Sequence, residues 1–316
     1  MPEVKQNISK AFYNRYFVRN AEKKLSLSLM KFMWFKEGKF LNPLKKDEHL
    51  KNFINEEIEN FYEKDIFNIP QLELCLTTKC TLKCKDCCAL IPQLDKEKHS
   101  EMTVEEFKES IDKLCNAVNN IQHLVILGGE PLINANLPEM LDYAAQKEKI
   151  FFIQLITNGT MLPSEKLLNT LKNNNKKIYV YISNYSGNEE LTPILKHEKI
   201  KELLKENDIK LQKPENWPWS KELGFAKEKF DTEVTTKKFI ECHRTKCNQI
   251  LNGKLDICSK ATAAREMNLF EINDTVDILN STNLREDLIN FYQKEYCDAC
   301  EYCIVSQEEV QPALQL

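Results

Sequence analysis

Glycine makes up only 7 of the 316 residues, about a third of its usual share of roughly 7%. The positions where glycine remains are therefore informative. Gly128 and Gly129 stand together after an apolar run, and Gly159 follows Thr157–Asn158. At these points we expect the backbone to need close approach or turn geometry that other residues do not allow.

Long apolar runs are also missing. No uninterrupted run reaches the roughly 18 residues of a membrane span, and Met1–Lys5 lacks the basic-then-apolar layout of a signal peptide. We therefore expect a cytoplasmic protein. A positive net charge is absent too: the formal value is -4, which argues against a protein that binds nucleic acid through a basic surface.

Cysteine, in contrast, is abundant. The chain has 12 cysteines in an otherwise ordinary globular composition, with 42% hydrophobic and 29% charged residues. Because a reducing compartment disfavours disulfides, we expect most of these thiols to bind metal or to take part in redox chemistry.

The N-terminal segment carries an unusual charge. Residues 1–46 contain 11 Lys or Arg against 3 Glu, interleaved with aromatic residues. This basic arm suits peripheral contact with an anionic surface such as a membrane, a phosphate or an acidic protein. The alternative is a helical extension with solvated lysines. Residues 47–65 then predict an amphipathic helix docked on the main domain.

Beyond Pro70, short apolar runs alternate with helical patterns. Strands are predicted at Leu72–Thr77, His123–Leu127, Phe151–Thr157, Ile178–Ser183 and Ile209–Gln212. The clearest helix begins at Thr103, where Glu106 completes a capping box. Repeated strand–helix units predict parallel strands, and five or six of them would form a partial TIM-like (βα)6 barrel with function at the carboxyl ends of the strands.

A cysteine motif follows the first of these strands. Cys80, Cys84 and Cys87 form a CxxxCxxC run. Three thiolates in one loop can hold three irons of a [4Fe-4S] cluster and leave the fourth iron open for reaction. The alternative, a structural zinc, needs a fourth ligand, for which Cys75 and Cys88 are the nearest candidates.

This motif and its context resemble the radical S-adenosylmethionine (SAM) enzymes. In that family the same cysteine spacing lies in the loop after the first strand of a partial barrel. The second predicted strand ends in Gly128, Gly129, Glu130 and Pro131, which is similar to the GGEP element that holds the methionine amino group of SAM. Thr157–Asn158 ends the third strand and Ser183 the fourth, both positions at which the family contacts SAM.

Three neighbouring positions are interpreted separately. Many members carry an aromatic residue near the adenine just before the third cysteine, and this chain has Asp86 there. Cys88 adjoins the motif as a spare thiol. Cys115 falls on the apolar face of its predicted helix and is expected in the core.

The resemblance implies a mechanism. SAM chelates the open iron, and the reduced cluster passes one electron to the sulfonium, giving methionine and a 5′-deoxyadenosyl radical that abstracts a substrate hydrogen. The protein orients the reacting atoms and excludes quenching water. The electron would come from a low-potential donor such as flavodoxin or ferredoxin.

A second cysteine group lies near the C-terminus, after the periodicity stops around Pro214–Trp219. It comprises Cys242, Cys247, Cys258, Cys297, Cys300 and Cys303. The pattern Cys242, Gly253, Cys258 resembles the opening of the twitch and SPASM extensions of radical SAM enzymes, which bind auxiliary [4Fe-4S] clusters. If Asn252–Gly253 is a two-residue hairpin turn, however, Cys247 would lie directly opposite Cys258, so both candidates stay open.

Six cysteines can fill one four-ligand cluster with two spares, but not two clusters. We therefore expect one auxiliary cluster, held by Cys258, one of Cys242 and Cys247, and two of Cys297, Cys300 and Cys303. A structural zinc on two separated cysteine pairs is the alternative.

The sequence thus predicts three parts: a helical, partly basic extension at 1–69, a radical SAM core at 70–213 and a twitch-like or SPASM-like module at 214–316. The C-terminal layout resembles radical SAM proteins encoded among polysaccharide genes, which favours oxidation or epimerisation of a carbohydrate or nucleotide-sugar. Maturation of a ribosomal peptide or activation of another enzyme is the second hypothesis. A non-catalytic iron–sulfur or zinc sensor is the third.

Overall fold

The computed structural model describes residues 59–61, 63–185, 187–212, 219–242, 244 and 247–316. The basic arm and most of the predicted helix at 47–65 lie outside the described residues. Residues 59–61 and 63–64 are helical, and the Phe61 side chain packs against the core.

Ten strands and eight α-helices have both of their ends within the described residues. The strands are β1 Asn68–Ile69, β2 Leu72–Cys75, β3 Asn120–Leu127, β4 Ile150–Thr157, β5 Ile178–Ile182, β6 Trp219–Ser220, β7 Gln249–Leu251, β8 Lys254–Asp256, β9 Val276–Asp277 and β10 Glu309–Val310. The helices are α1 Val104–Ala117, α2 Leu137–Ala145, α3 Glu165–Asn173, α4 His197–Glu206, α5 Thr232–Glu241, α6 Ser259–Met267, α7 Leu284–Gln293 and α8 Asp298–Tyr302.

One mixed sheet organises the fold. Its strand order is β5-β4-β3-β2-β7-β8-β9, with β1 beside β3. Strands β2 to β5 are parallel and alternate with α1, α2 and α3 along the chain. The parallel α/β core expected from the sequence is therefore confirmed.

The extent of the barrel differs from the prediction. The expected strand Ile209–Gln212 is reduced to one parallel bridge between Val180 and Leu211. The described residues hold four complete strand–helix units, β2 to α4, plus this bridge, and no sixth unit is among them. At the other edge, the parallel neighbour of β2 is β7, which comes from the C-terminal part of the chain.

Helix α1 begins as its sequence predicts. The Thr103 side chain accepts the Glu106 backbone N–H, and the Glu106 carboxylate accepts the Thr103 backbone N–H, so the capping box is complete. Phe107, Ile111 and Leu114 are buried along one face. Cys115 is also buried, as expected for a core thiol.

The predicted hairpin is also present, but it is short. Asn252 and Gly253 both have positive φ, as a two-residue I′ turn requires, and Leu251 pairs with Lys254. The ladder ends at the pair Gln249 and Asp256. It therefore does not extend to Cys247 and Cys258, the pair that this turn would place opposite each other in a longer ladder.

The main core does not respect the predicted module boundary. Leu74, Leu124 and Ile153 of the parallel strands belong to the same buried cluster as Ile250 of β7 and Leu288 of α7. The predicted boundary between residues 213 and 214 falls in the segment 213–218, which lies outside the described part, so the boundary stays a prediction.

Candidate active site

The three motif cysteines lie at the carboxyl end of β2, as predicted. Cys80, Cys84 and Cys87 line one cavity of about 440 Å³. The same cavity is lined by Gly128, Gly129, Asn158 and Ser183 from the ends of the next three strands. Residues that follow four successive parallel strands in the sequence thus line one site.

Two of these sulfur atoms accept hydrogen bonds. Cys80 Sγ lies 3.4 Å from the Leu82 backbone N and 3.7 Å from Asn158 Nδ2. Cys84 Sγ lies 3.5 Å from Gln315 Nε2. Donors of this kind stabilise negative charge on cysteine sulfur and are typical around iron–sulfur clusters.

Burial makes these thiols poor acids in the absence of a cation. It raises the pKa of Cys84 to about 11, with the Gln315 hydrogen bond opposing it, and the pKa of Cys87 to about 12. Iron binding requires the thiolate forms and supplies the compensating positive charge. The donor set therefore fits an iron–sulfur cluster.

Gly128 and Gly129 bring the end of β3 against the cysteine loop. Gly129 N–H donates to the Thr77 carbonyl at 2.7 Å, and Glu130 N–H donates to the Lys79 carbonyl at 2.9 Å. A Cβ atom on Gly128 would collide with the Thr77 carbonyl oxygen, and one on Gly129 with that of Lys79. The two glycines are thus needed because the end of β3 packs closely against the chain's own cysteine loop.

Glu130 is fully buried behind the cavity and does not line it. Its carboxylate accepts the Asn158 N–H at 2.8 Å, the Leu132 N–H at 3.1 Å and the Thr157 hydroxyl at 2.9 Å. Burial raises its pKa, and these hydrogen bonds oppose that rise. Pro131 is also buried. Of the predicted SAM contacts, these two and Thr157 thus lie in the supporting structure.

Asn158 connects this supporting structure to the cysteine loop. Its side-chain Nδ2 donates to Thr81 Oγ1 at 3.0 Å as well as approaching Cys80 Sγ. Ser183, at the end of β5, is tied to β4 by its N–H, which donates to the Thr157 carbonyl at 2.9 Å. Three strand ends are therefore held in fixed positions around the cavity.

Asp86 has a role that sequence reasoning missed. Its carboxylate accepts the Glu222 backbone N–H at 2.9 Å. The Glu222 side chain pairs with Arg244 at 2.7 Å and with Lys260. Burial alone would raise the pKa of Glu222, but these two cations outweigh it and hold that pKa below its usual range. This link joins the cysteine loop to the C-terminal part of the chain.

The C-terminal cysteines divide into two sets. Cys242, Cys258, Cys300 and Cys303 line one cavity together with Arg244 and Lys260. Cys247 lines the motif-cysteine cavity instead, beside Cys88. Cys297 is 1% exposed in the main core. The two candidates that the sequence leaves open, Cys242 and Cys247, thus line different cavities.

Among the residues that the structure describes, no three His, Cys, Asp or Glu side chains converge as they would on a single metal ion. Cysteines that hold an iron–sulfur cluster bind different irons, so their sulfurs need not converge. No helix in the described part of the chain is both long and apolar enough to cross a membrane.

Residues 74–208 match the family model of the radical SAM superfamily. This segment is a radical SAM domain. The match confirms the predicted superfamily and, with it, the predicted cofactors SAM and a [4Fe-4S] cluster. The auxiliary cluster and the residue assignments stay predictions, since the matched segment ends before the C-terminal cysteines.

Two curated relatives resemble parts of the radical SAM domain. The antilisterial bacteriocin subtilosin biosynthesis protein AlbA of Bacillus subtilis is 35% identical over 116 residues, covering 37% of this chain and 24% of AlbA. The GTP 3′,8-cyclase of Syntrophomonas wolfei is 32% identical over 94 residues, covering 30% of this chain and 28% of the cyclase. The matched stretches thus span about a quarter of each relative.

Two solved structures align with parts of this chain. BtrN in complex with AdoMet and 2-DOIA aligns over 78% of this chain and 98% of that one, with a TM-score of 0.45 and 15% identity. Streptococcus suis SuiB bound to S-adenosylmethionine aligns over 55% and 38%, with a TM-score of 0.38 and 18% identity.

Proposed function

We propose that this protein is a radical SAM enzyme that uses a second, auxiliary [4Fe-4S] cluster to oxidise a polar small molecule of the carbohydrate or nucleotide-sugar type. The observation that carries the proposal is the single cavity formed by Cys80, Cys84, Cys87 and the ends of three further strands. Reduced and with SAM bound, such a cluster supplies the one-electron cleavage of SAM that begins hydrogen abstraction.

The chain's own residues position these cofactors. The three cysteines would ligate the open-iron cluster, and Gly128, Gly129, Asn158 and Ser183 would face SAM from the strand ends. Glu130, held by Thr157 and Asn158, would act one layer behind by fixing Asn158 beside Cys80. Because these groups are already hydrogen-bonded to one another, they need little rearrangement to hold SAM.

Cys242, Cys258, Cys300 and Cys303 are the ligands we assign to the auxiliary cluster, since these four line one cavity. Four protein ligands leave no iron open to substrate, and a saturated cluster suits electron acceptance rather than substrate coordination. Lys260 and Arg244 line the same cavity with the single carboxylate of Glu222, and this excess of positive charge would favour the added negative charge of a reduced cluster. We therefore favour dehydrogenation over epimerisation.

Several polar side chains stand within the mostly apolar lining of the motif-cysteine cavity. Glu73, Gln249, Ser259 and Arg244 contribute a carboxylate, an amide, a hydroxyl and a guanidinium to its lining, and Trp219 adds an aromatic face. A hydroxyl-rich substrate can form hydrogen bonds with groups of these kinds, whereas an apolar substrate cannot. This lining supports the carbohydrate-type substrate.

Peptide modification is the second candidate, and one observation favours it. The 116-residue stretch shared with AlbA, a bacteriocin biosynthesis protein, includes 35% identical residues. Under this alternative, the polar side chains of the motif-cysteine cavity would bind a peptide backbone. The basic arm at 1–46, the proposed flavodoxin-type or ferredoxin-type donor and a cytoplasmic location remain parts of the proposal.

The enzyme class is tested by anaerobic reconstitution with iron and sulfide, followed by dithionite and SAM. We expect 5′-deoxyadenosine from the wild type and none from C80A, C84A or C87A, each of which should lose about half of the iron. C115A, which removes a core thiol outside the motif, is the matched control. It should keep its full iron content and should still form 5′-deoxyadenosine. A fully loaded wild type that makes no 5′-deoxyadenosine would instead support the sensor hypothesis.

The substrate class is tested with deuterated probes. A deuterated nucleotide-sugar should transfer deuterium into 5′-deoxyadenosine, and Q249A should reduce this transfer without reducing SAM cleavage in the absence of substrate. Transfer from a deuterated peptide and none from the nucleotide-sugars would replace the first candidate with the second.

A further inference from the structure

The C-terminal tail, residues 311–316, lies against the loop that carries the motif cysteines. The Lys85 N–H donates to the Leu314 carbonyl at 2.7 Å, and the Leu316 N–H donates to the Lys83 carbonyl at 2.9 Å. Cys84 and Gln315 form the antiparallel bridge between these two bonds. The tail thus binds the cysteine loop through backbone hydrogen bonds on both sides of Cys84.

The Gln315 side chain reaches back to the same loop. Its Oε1 accepts the Lys83 N–H at 2.7 Å, and its Nε2 lies 3.5 Å from Cys84 Sγ. Because the Lys83 backbone N–H can only donate, it fixes which end of the carboxamide is oxygen. The amide N–H groups therefore face the cysteine sulfur and the Ala313 carbonyl, which lies 2.6 Å away.

The tail is anchored independently of Gln315. Ala313 is fully buried in a second apolar cluster with Leu82, Cys84, Tyr185 and Leu191. The Asn188 side chain donates to the Pro312 and Ala313 carbonyls at 3.1 and 3.0 Å. These contacts hold the tail in place, so the Gln315 amide is presented to the sulfur by a preformed structure.

We propose that Gln315 is a positioning residue that sets the reduction potential of the SAM cluster through its hydrogen bond to Cys84 Sγ. The inference rests on the proposed function, because it takes Cys84 as a cluster ligand. An N–H group near a ligand sulfur stabilises the more negative, reduced cluster and so raises its reduction potential. The residue lies 231 positions from Cys84 and beyond the segment, 74–208, that matches the family model.

The consequence is that the last residues of the chain take part in the chemistry of its first cysteine loop. A higher potential makes the cluster easier to reduce by a given donor but lowers its driving force for SAM cleavage. Removing the amide N–H should therefore make the cluster harder to reduce.

The test is a potentiometric titration of the reconstituted full-length protein followed by electron paramagnetic resonance. The signal that changes on SAM addition identifies the cluster with an open iron and separates it from any auxiliary cluster. We expect Q315L to shift the midpoint of that signal to a more negative potential with unchanged iron content. Q311L is the matched control, since the Gln311 amide in the same tail donates to the Gly187 carbonyl at 3.2 Å rather than to a cysteine.

Q315L also loses the hydrogen bond from the Lys83 N–H, so a second variant is needed that keeps this bond. In Q315E, one carboxylate oxygen can still accept the Lys83 N–H, while the amide donor is replaced by an acceptor. This variant should shift the midpoint in the same direction and further, because it also places a negative charge near the cluster.

The outcomes are distinct. Equal midpoints in Q315L, Q311L and the wild type, all with full iron, would overturn the proposal while leaving the enzyme assignment intact. Loss of the cluster from both Q315L and Q315E, with Q311L loaded, would also overturn it, since Gln315 would then serve assembly rather than potential. A wild type without a SAM-responsive signal would instead overturn the proposed function.

Discussion

The carboxylate of Glu130 accepts the backbone N–H of Asn158 at 2.8 Å, and this bond ties the end of β3 to the end of β4. The second carboxylate oxygen accepts the Leu132 N–H at 3.1 Å. Both backbone donors need an acceptor, so the site requires two acceptor oxygens on one side chain. The side chain of Asn158 depends on this pair for its place beside Cys80.

Glu130→Gln should therefore destabilise the apo-protein by about 1–3 kcal/mol, because the amide NH2 group would face a buried backbone N–H. SAM affinity should fall as well, through displacement of Asn158. Chemical unfolding and SAM binding measure the two effects. The control is Glu139→Gln on the exposed face of α2, which should change stability by less than about 0.5 kcal/mol. Equal stability of the two variants would contradict the role assigned to Glu130.

The C-terminal cysteines should divide into four and two. Single Ala variants of Cys242, Cys258, Cys300 and Cys303 should lose the auxiliary cluster and with it about half of the iron. C247A should retain this cluster because Cys247 lines the other cavity. Cys297 is buried in the main core, so C297A should keep iron but lose stability. Iron retained by C242A and lost by C247A would reverse the assignment.

Gly129 should not tolerate a side chain. In Gly129→Ala the new Cβ would collide with the Lys79 carbonyl and lie 2.8 Å from Cys80 Cβ. We expect a loss of roughly 1–3 kcal/mol in the free energy of unfolding and reduced cluster loading, because the cysteine loop must move. Gly187→Ala is the control, since its nearest neighbour would be Pro312 Cδ at an ordinary 3.6 Å. Similar unfolding curves for both variants would refute the close-approach argument.

Asp86 should couple the cysteine loop to the C-terminal part of the chain. Asp86→Ala leaves the Glu222 backbone N–H without its acceptor and should cost about 1–3 kcal/mol of stability. Asp86→Asn keeps an acceptor oxygen and should recover most of the loss. If the Asn variant is as unstable as the Ala variant, the negative charge rather than the hydrogen bond matters at this position.

Lys177 predicts a pH dependence of stability. Burial lowers its pKa from 10.5 to about 8, and its Nζ atom donates to the Ala145 carbonyl at 2.8 Å. Between these two pH values the unfolded chain binds more protons at this group, so its contribution to stability rises with pH. The measurement is therefore the free energy of unfolding of the apo-protein in urea between pH 8 and 10.5. In Lys177→Met this free energy should rise less, or fall more steeply, with pH than in the wild type. Parallel curves would show that Lys177 does not titrate in this range.

Features encoded by neighbouring residues could be predicted from the sequence. The capping box at Thr103, the turn at Asn252–Gly253 and the placement of Cys80 after β2 each depend on residues a few positions apart. The order of the strand-end motifs then placed Asn158 and Ser183 at the same edge of the sheet, because parallel strands share one carboxyl edge.

Features that depend on distant residues could not be predicted. The Gln315 amide meets Cys84, and the Glu222 backbone meets Asp86, only because the C-terminal part folds back over the cysteine loop. No local pattern marks either pair. The choice between Cys242 and Cys247, which the sequence leaves open, depends on such a feature too: the hairpin has the predicted register, but its ladder ends at Gln249, two residues short of Cys247.

The parallel pairing of β2 with β7 also bears on how the chain folds during synthesis. Glu73 of β2 lies beside Gln249 of β7, so one edge of a central strand has no partner until the ribosome has made most of the protein. Late, non-local pairings of this kind slow folding and leave a template for association with other chains. A fragment that ends near residue 213 should therefore aggregate, whereas the full-length chain, in which β7 covers this edge, should not.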